Sequence, residues 1–175
     1  MDQRQWYALK VFHNRMPAIA DELTAAGIES YIPMQTVVTE RSGIRRKEQR
    51  PAIASLMFFH ATRRQAEDTA RLLTDRAMLY TRLQTDGSKI PAAIPQREME
   101  IFRLVVSSGA EGLEYMPDDP DRFHSGDRVR VTAGPLAGAE GHIVRIRGDR
   151  RLVVTIHGVC AVATTYIPQC LLERI

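Results

Sequence analysis

The chain has 175 residues, 44% of them hydrophobic, which is enough for ordinary globular cores in one domain or two small ones. No apolar run reaches the roughly 20 residues that span a bilayer, and the opening MDQRQWYALK lacks an apolar signal core, so a cytoplasmic protein without membrane contact is expected. The net charge of +3 is unevenly spread: residues 1 to 108 carry 16 Lys and Arg against 12 Asp and Glu, residues 124 to 175 carry 7 against 4, and residues 109 to 123 hold five acids and one arginine.

The first element is a strand, because Trp6 to Phe12 is rich in aromatic and aliphatic side chains. From Arg15 to Ala26 the apolar residues Met16, Ile19, Ala20, Leu23 and Ala26 recur at helical spacing, and Gly27 supplies a stop. Ile28 to Thr39 resumes as strand, with Pro33 at an edge or bulge. TERSGIRRKEQRP, residues 39 to 51, reads as a polar loop carrying Arg41, Arg45, Arg46, Lys47 and Arg50. Ile53 to Ala61 is an apolar strand, Gln65 to Thr74 a second helix, Met78 to Leu83 a fourth strand, and Pro95 to Val106 a third helix opened by its proline. The order βαββαβ with a trailing helix predicts a ferredoxin-like α+β sandwich over residues 1–108.

GAEGLEYMPDDPDRF, residues 109 to 123, has the acidic, Pro- and Gly-containing composition of a solvated linker. Beyond it, GDRVRVTAGPLAGAEGHIVRI places Val129 and Val131 on one face of a strand and Arg128 and Arg130 on the other. Gly134, Gly138 and Gly141 then shape a wide turn before alternation resumes. Leu152 to Ile156 and Ala161 to Ile167 complete a small antiparallel β-barrel over residues 124–175. Basic domains joined by an acidic linker suit a protein that works near nucleic acid.

Catalysis is not indicated. His13, His60, His124, His142 and His157 have no i, i+4 pairing and no acidic partner at metal or triad spacing along the chain. Cys160 and Cys170 lack a C-x-x-C or Cys/His pattern and read as buried thiols. No G-x-x-x-x-G-K-S/T loop is present, and the glycines from 134 to 141 precede a strand rather than a helix. Neither a cofactor nor a metal is expected, and the chain reads as monomeric.

A Trp-Tyr strand, a βαββαβ domain, a linker and a G-D-x-V-x-V-x-x-G-P-x-x-G-x-x-G segment together resemble the NusG family of transcription elongation factors. The last segment resembles the family's KOW motif. IPQREMEIF at 94 to 102, through Ile94, Pro95, Met99 and Phe102, is similar to a segment of UpxY-type paralogues encoded with surface-polysaccharide operons. These four residues also suit an ordinary amphipathic helix. The resemblance implies that the N-terminal domain binds the clamp helices of the large RNA polymerase subunit through an apolar depression and suppresses pausing or termination. Tyr7, Phe12, Ile53, Leu56 and Phe58 are the residues it points to, although the family's Pro-Gly turn and Tyr are replaced within Ile53 to Phe59. Leu56 and Phe58 read equally well as core.

Clustered cations attract phosphate without regard to sequence, so Arg41, Arg45, Arg46, Lys47 and Arg50, with Arg63 and Arg64 at a helix start, are candidates for contact with DNA of the transcription bubble. A solvated hairpin tip explains the same loop. The resemblance further implies a partner for the KOW barrel, a ribosomal protein or Rho, with Arg128, Arg130, Gly134, Gly138 and Gly141 as the candidate surface. Two other readings share these features: an RNA- or ribosome-binding KOW protein that never touches polymerase, and a competitor of related factors at the clamp.

Overall fold

The computed structural model describes residues 2–175, which are 22% helix and 41% strand and divide into two compact units, residues 1–95 and 96–175. In the N-terminal unit β1 (Gln5–Val11) leads to α1 (Met16–Ala25), β2 (Glu29–Tyr31), the long strands β3 (Met34–Arg41) and β4 (Ile44–Pro51), β5 (Leu56–Ala61), α2 (Arg63–Leu72), β6 (Ala77–Leu79), β7 (Thr81–Leu83) and β8 (Lys89–Pro91). The main sheet has the order β2-β5-β1-β6 with every pair antiparallel, the arrangement expected of a ferredoxin-like sandwich.

Strand β1 is central, and its sequence suits that place. Tyr7, Leu9 and Val11 join Met57, Phe59 and Ala61 of β5 in a core closed by Met16, Ile19 and Leu23 of α1 and Ala66 of α2. Trp6 and Ala8 point the other way and are buried as well. Beyond the pairing with β6, the edge of β1 is satisfied by Tyr80 N–H donating to Ala8 O and Ile94 N–H donating to Trp6 O. Helix α2 starts at a complete capping box: Thr62 Oγ1 accepts from Gln65 N–H, and Gln65 Oε1 accepts from Thr62 N–H.

The C-terminal unit opens with α3 (Gln96–Val106), which packs on β12. After it come β9 (Glu114–Met116), α4 (Pro120–Phe123), β10 (Arg128–Val131), β11 (Glu140–Ile146), β12 (Asp149–Ile156), β13 (Cys160–Ala163) and β14 (Leu172–Arg174). Six strands form one antiparallel sheet in the order β14-β10-β11-β12-β13-β9. Phe123, Ile146, Val153, Ala161 and Ala163 make its core.

Four expectations change. Ile28 to Thr39 is two strands, because the Ile32-Pro33 step interrupts the ladder between β2 and β3. Met78 to Leu83 likewise divides, and β7 leaves the main sheet to pair with β8. The third helix groups with the C-terminal unit rather than with residues 1–95. Residues 109–123 are not a free linker: β9 pairs with β13, and Phe123 is buried. The prolines and acids of that stretch shape its turns, and its few apolar residues suffice to anchor it.

Removal of the α2 cap gives a direct check on the N-terminal unit. Thr62→Ala leaves the Gln65 N–H without its side-chain acceptor and is expected to cost about 1 kcal/mol, read by chemical denaturation.

Candidate functional site

The basic segment is a β-hairpin, not a loop. Strands β3 and β4 pair from Met34↔Pro51 to Arg41↔Ile44 around a two-residue turn, and Ser42 and Gly43 both take positive φ, 53° and 76°, as a type I′ turn requires. The signal was present in the sequence as Thr36, Val37, Val38 and Thr39 followed by Ser-Gly, outweighed by the charge that follows. Side chains alternate across the ladder, so Arg41, Arg46 and Arg50 share one face with Glu48, while Arg45 and Lys47 share the other with Glu40. Every residue of β4 is exposed.

Two of these cations have acidic neighbours, Arg45 with Glu40 at 3.6 Å and Arg50 with Glu48 at 2.9 Å. Such exposed pairs contribute about 0–1 kcal/mol and exchange readily for another anion. Among the described residues Arg41, Arg46 and Lys47 have no ion pair. Both faces therefore offer cations to phosphate, and the ladder fixes their spacing as a loop would not.

Arg63 and Arg64 occupy the first turn of α2. Arg63 pairs with Glu67 at 3.0 Å, and Arg71 pairs with Asp68 at 2.8 Å nearby. This mixed surface attracts anions less than the two arginines alone suggested. The capping box also occupies the Gln65 N–H, one of the donors that a helix start would offer to phosphate.

Of the five residues assigned to polymerase contact, three are interior. Tyr7 is 1% exposed in the helix-side core, Leu56 is 3% exposed and Phe58 is fully buried. Burial also raises the Tyr7 phenol above its ordinary pKa, so it stays neutral. Phe12 and Ile53 are only partly buried. Both faces of the central strand β5 are covered, so alternation does not distinguish surface from core there, and the sequence leaves both readings of Leu56 and Phe58 open.

In the C-terminal unit the arginines expected as a partner surface converge on Glu140. Its carboxylate meets Arg97 at 2.7 Å, Arg130 at 3.0 Å and Arg128 at 3.6 Å, and its side chain is 8% exposed. Hydrogen bonds from Arg97 first, then Arg130, hold Glu140 below the ordinary glutamate pKa against the effect of burial. Arg128 and Arg130 thus have a structural role besides any contact with a partner. Gly141 is structural too: a Cβ there would lie 2.2 Å from the Val153 carbonyl oxygen, so β11 and β12 approach as closely as they do only without a side chain. Gly134 and Gly138 are turn residues with positive φ.

Sequence spacing did not reveal the other polar cluster of this unit. Asp118, from the β9–α4 connection, and His124, at the end of α4, lie six residues apart, and the fold brings His157 of the β12–β13 turn beside them. His124 and His157 thus both find in Asp118 an acidic neighbour that metal or triad spacing along the chain did not indicate. Of the two cysteines, Cys160 is buried, with its thiol pushed up to about 12 mainly by desolvation, whereas Cys170 is exposed.

The depressed Glu140 pKa predicts a pH signature. Its stabilising contribution is present above the ordinary glutamate pKa of about 4.3 and is lost as pH falls through the lower folded value. Glu140→Gln is expected to lower thermal stability at pH 7, and the difference from the unsubstituted chain should shrink below about pH 4.3.

No helix among the described residues is long and apolar enough to cross a membrane. The family model described as "Transcription termination factor nusG" matches residues 4–103, and the KOW motif model matches residues 125–157. No curated protein matches the chain. The family's domains are known as non-catalytic regulatory factors. With a family match over more than half its length, a KOW motif beyond it and the sandwich topology described above, the chain belongs to the NusG family of transcription elongation and antitermination factors.

Proposed function

We propose that this chain is a specialised elongation factor that binds the clamp helices of the large RNA polymerase subunit and suppresses pausing or termination. The observation that carries this reading is the β3–β4 hairpin, an exposed basic ladder attached to a domain whose family binds RNA polymerase. Phosphate contact through Arg41, Arg46 and Lys47 holds the factor on the DNA of the transcription bubble. Polymerase contact uses the partly exposed Phe12 and Ile53, while Leu56 and Phe58 are buried in the core.

The factor acts in the cytoplasm on a limited set of operons of the surface-polysaccharide kind. Similarity of residues 94–102 to UpxY-type paralogues supports that choice, although Ile94, Met99 and Phe102 are buried and serve packing as well. The KOW unit contacts a ribosomal protein or Rho, with Arg128 and Arg130 at the rim of that surface.

Competition with the general NusG protein for polymerase tests the reading. The full chain is expected to displace it from core polymerase. Arg41→Gln, Arg46→Gln and Lys47→Gln together should leave that competition intact and weaken binding to an elongation complex. The slope of log K against log salt should flatten by about 2 if three single-strand phosphate contacts are lost. Failure to compete would contradict polymerase binding, and tight RNA binding in its place would favour an RNA- or ribosome-directed protein. An unchanged salt slope would remove the hairpin from the interface.

A further inference from the structure

Asp118, His124 and His157 bring one carboxylate and two imidazoles together. Asp118 Oδ1 lies 3.3 Å from His124 Nε2, Asp118 Oδ2 lies 4.0 Å from His157 Nδ1, and the three ligand atoms fall within 4.8 Å of one another. The Asp118 side chain is 1% exposed, against 28% for His124 and 67% for His157. A buried carboxylate thus forms the floor, and two imidazoles form a rim open to solvent.

A carboxylate so buried needs compensation for its charge. Gly158 N–H donates to Oδ2 at 2.7 Å, and among the described residues no Lys or Arg reaches either oxygen. A histidine–aspartate hydrogen bond is one way to satisfy Oδ1. At 3.3 Å the pair is longer than the roughly 2.7–2.9 Å of a charge-assisted bond. In a tetrahedral site with bonds of about 2.0–2.1 Å, by contrast, neighbouring ligand atoms stand about 3.3 Å apart. The rings of His124 and His157 meet edge to face at 82°, and with one ligand atom from each residue the three atoms lie within 4.8 Å of one another.

We propose that Asp118, His124 and His157 bind one divalent transition-metal ion of the zinc class, with a fourth position open to solvent. Two imidazoles and one carboxylate favour such an ion over magnesium or calcium, which take mainly oxygen ligands. The surroundings fit. Gly158 N–H orients the carboxylate, and Glu98 Oε2 accepts from the His157 backbone N–H at 3.3 Å, steadying the turn that carries the ligand. His142 lies beside His124 with ring centroids 5.5 Å apart and the rings tilted by 37°. Arg128, the nearby cation, faces Glu140. The bound ion ties the segment between β9 and β10 to the β12–β13 turn, so metal supply sets the rigidity of the KOW unit.

Titration of the full chain with Co²⁺ and Zn²⁺ tests this. One Co²⁺ per chain is expected, with visible d–d absorption and no thiolate charge-transfer band, together with a rise in Tm on adding Zn²⁺. His157→Gln, at an exposed position that leaves folding intact, and Asp118→Asn, which keeps an acceptor for Gly158 N–H, should each weaken affinity by about 100-fold or more. Absence of saturable uptake at micromolar metal would overturn the proposal. So would uptake unaffected by His157→Gln, or uptake with a thiolate band, which places the ion on a cysteine.

Discussion

The N-terminal unit depends on β1 being apolar on both faces and hydrogen-bonded on both edges. β5 and β6 pair with it directly, and β2 reaches the sheet only through β5. Trp6 and Ala8 on one side and Tyr7, Leu9 and Val11 on the other are all buried, so β1 contributes to packing on both faces of the sheet. The hairpin of β3 and β4 then emerges between the second and third strands of the main sheet, so a packed scaffold supports its base. A flexible insertion at the same place would carry the same charge, but each cation would lose conformational freedom on meeting phosphate.

In the C-terminal unit, charge and close backbone approach replace some of what apolar burial does in the first. Glu140 sits among Arg97, Arg128 and Arg130 and links α3 to the first strands of the sheet. Gly141, next along the chain, lets β12 close against β11. A second set of contacts fastens the β9 end: Glu114 meets Arg151 at 3.1 Å and also pairs with Arg147. Acids of the segment expected as a linker are thus structural partners of arginines in the sheet. The small net charge of the chain conceals this division, in which hairpin cations remain available to ligands while many C-terminal cations are committed internally.

Much of this was legible in the sequence, because periodicity reports burial wherever one face is wet. Helices α1, α2 and α3 and the KOW alternation follow from spacing, and β1 and β5 from their apolar composition. Three features did not. Charge density hid the strand character of Ile44 to Pro51, since β propensity and solvation conflict there and the turn decides between them. The core status of Leu56 and Phe58 was ambiguous because an apolar run covered on both faces carries no periodic mark. Asp118, His124 and His157 were invisible as a group because only the pairing of β9 with β13 brings them together.

The central claim is that a basic hairpin on this scaffold serves elongation, and pause lifetime measures it most directly. Single-round transcription through a defined pause, with and without the full chain, is the measurement we would make. The account predicts a shorter pause lifetime and greater readthrough at a terminator, both diminished when Arg41, Arg46 and Lys47 are neutralised. A pause lifetime that is unchanged or lengthened by the chain, under conditions where it occupies polymerase, would contradict it.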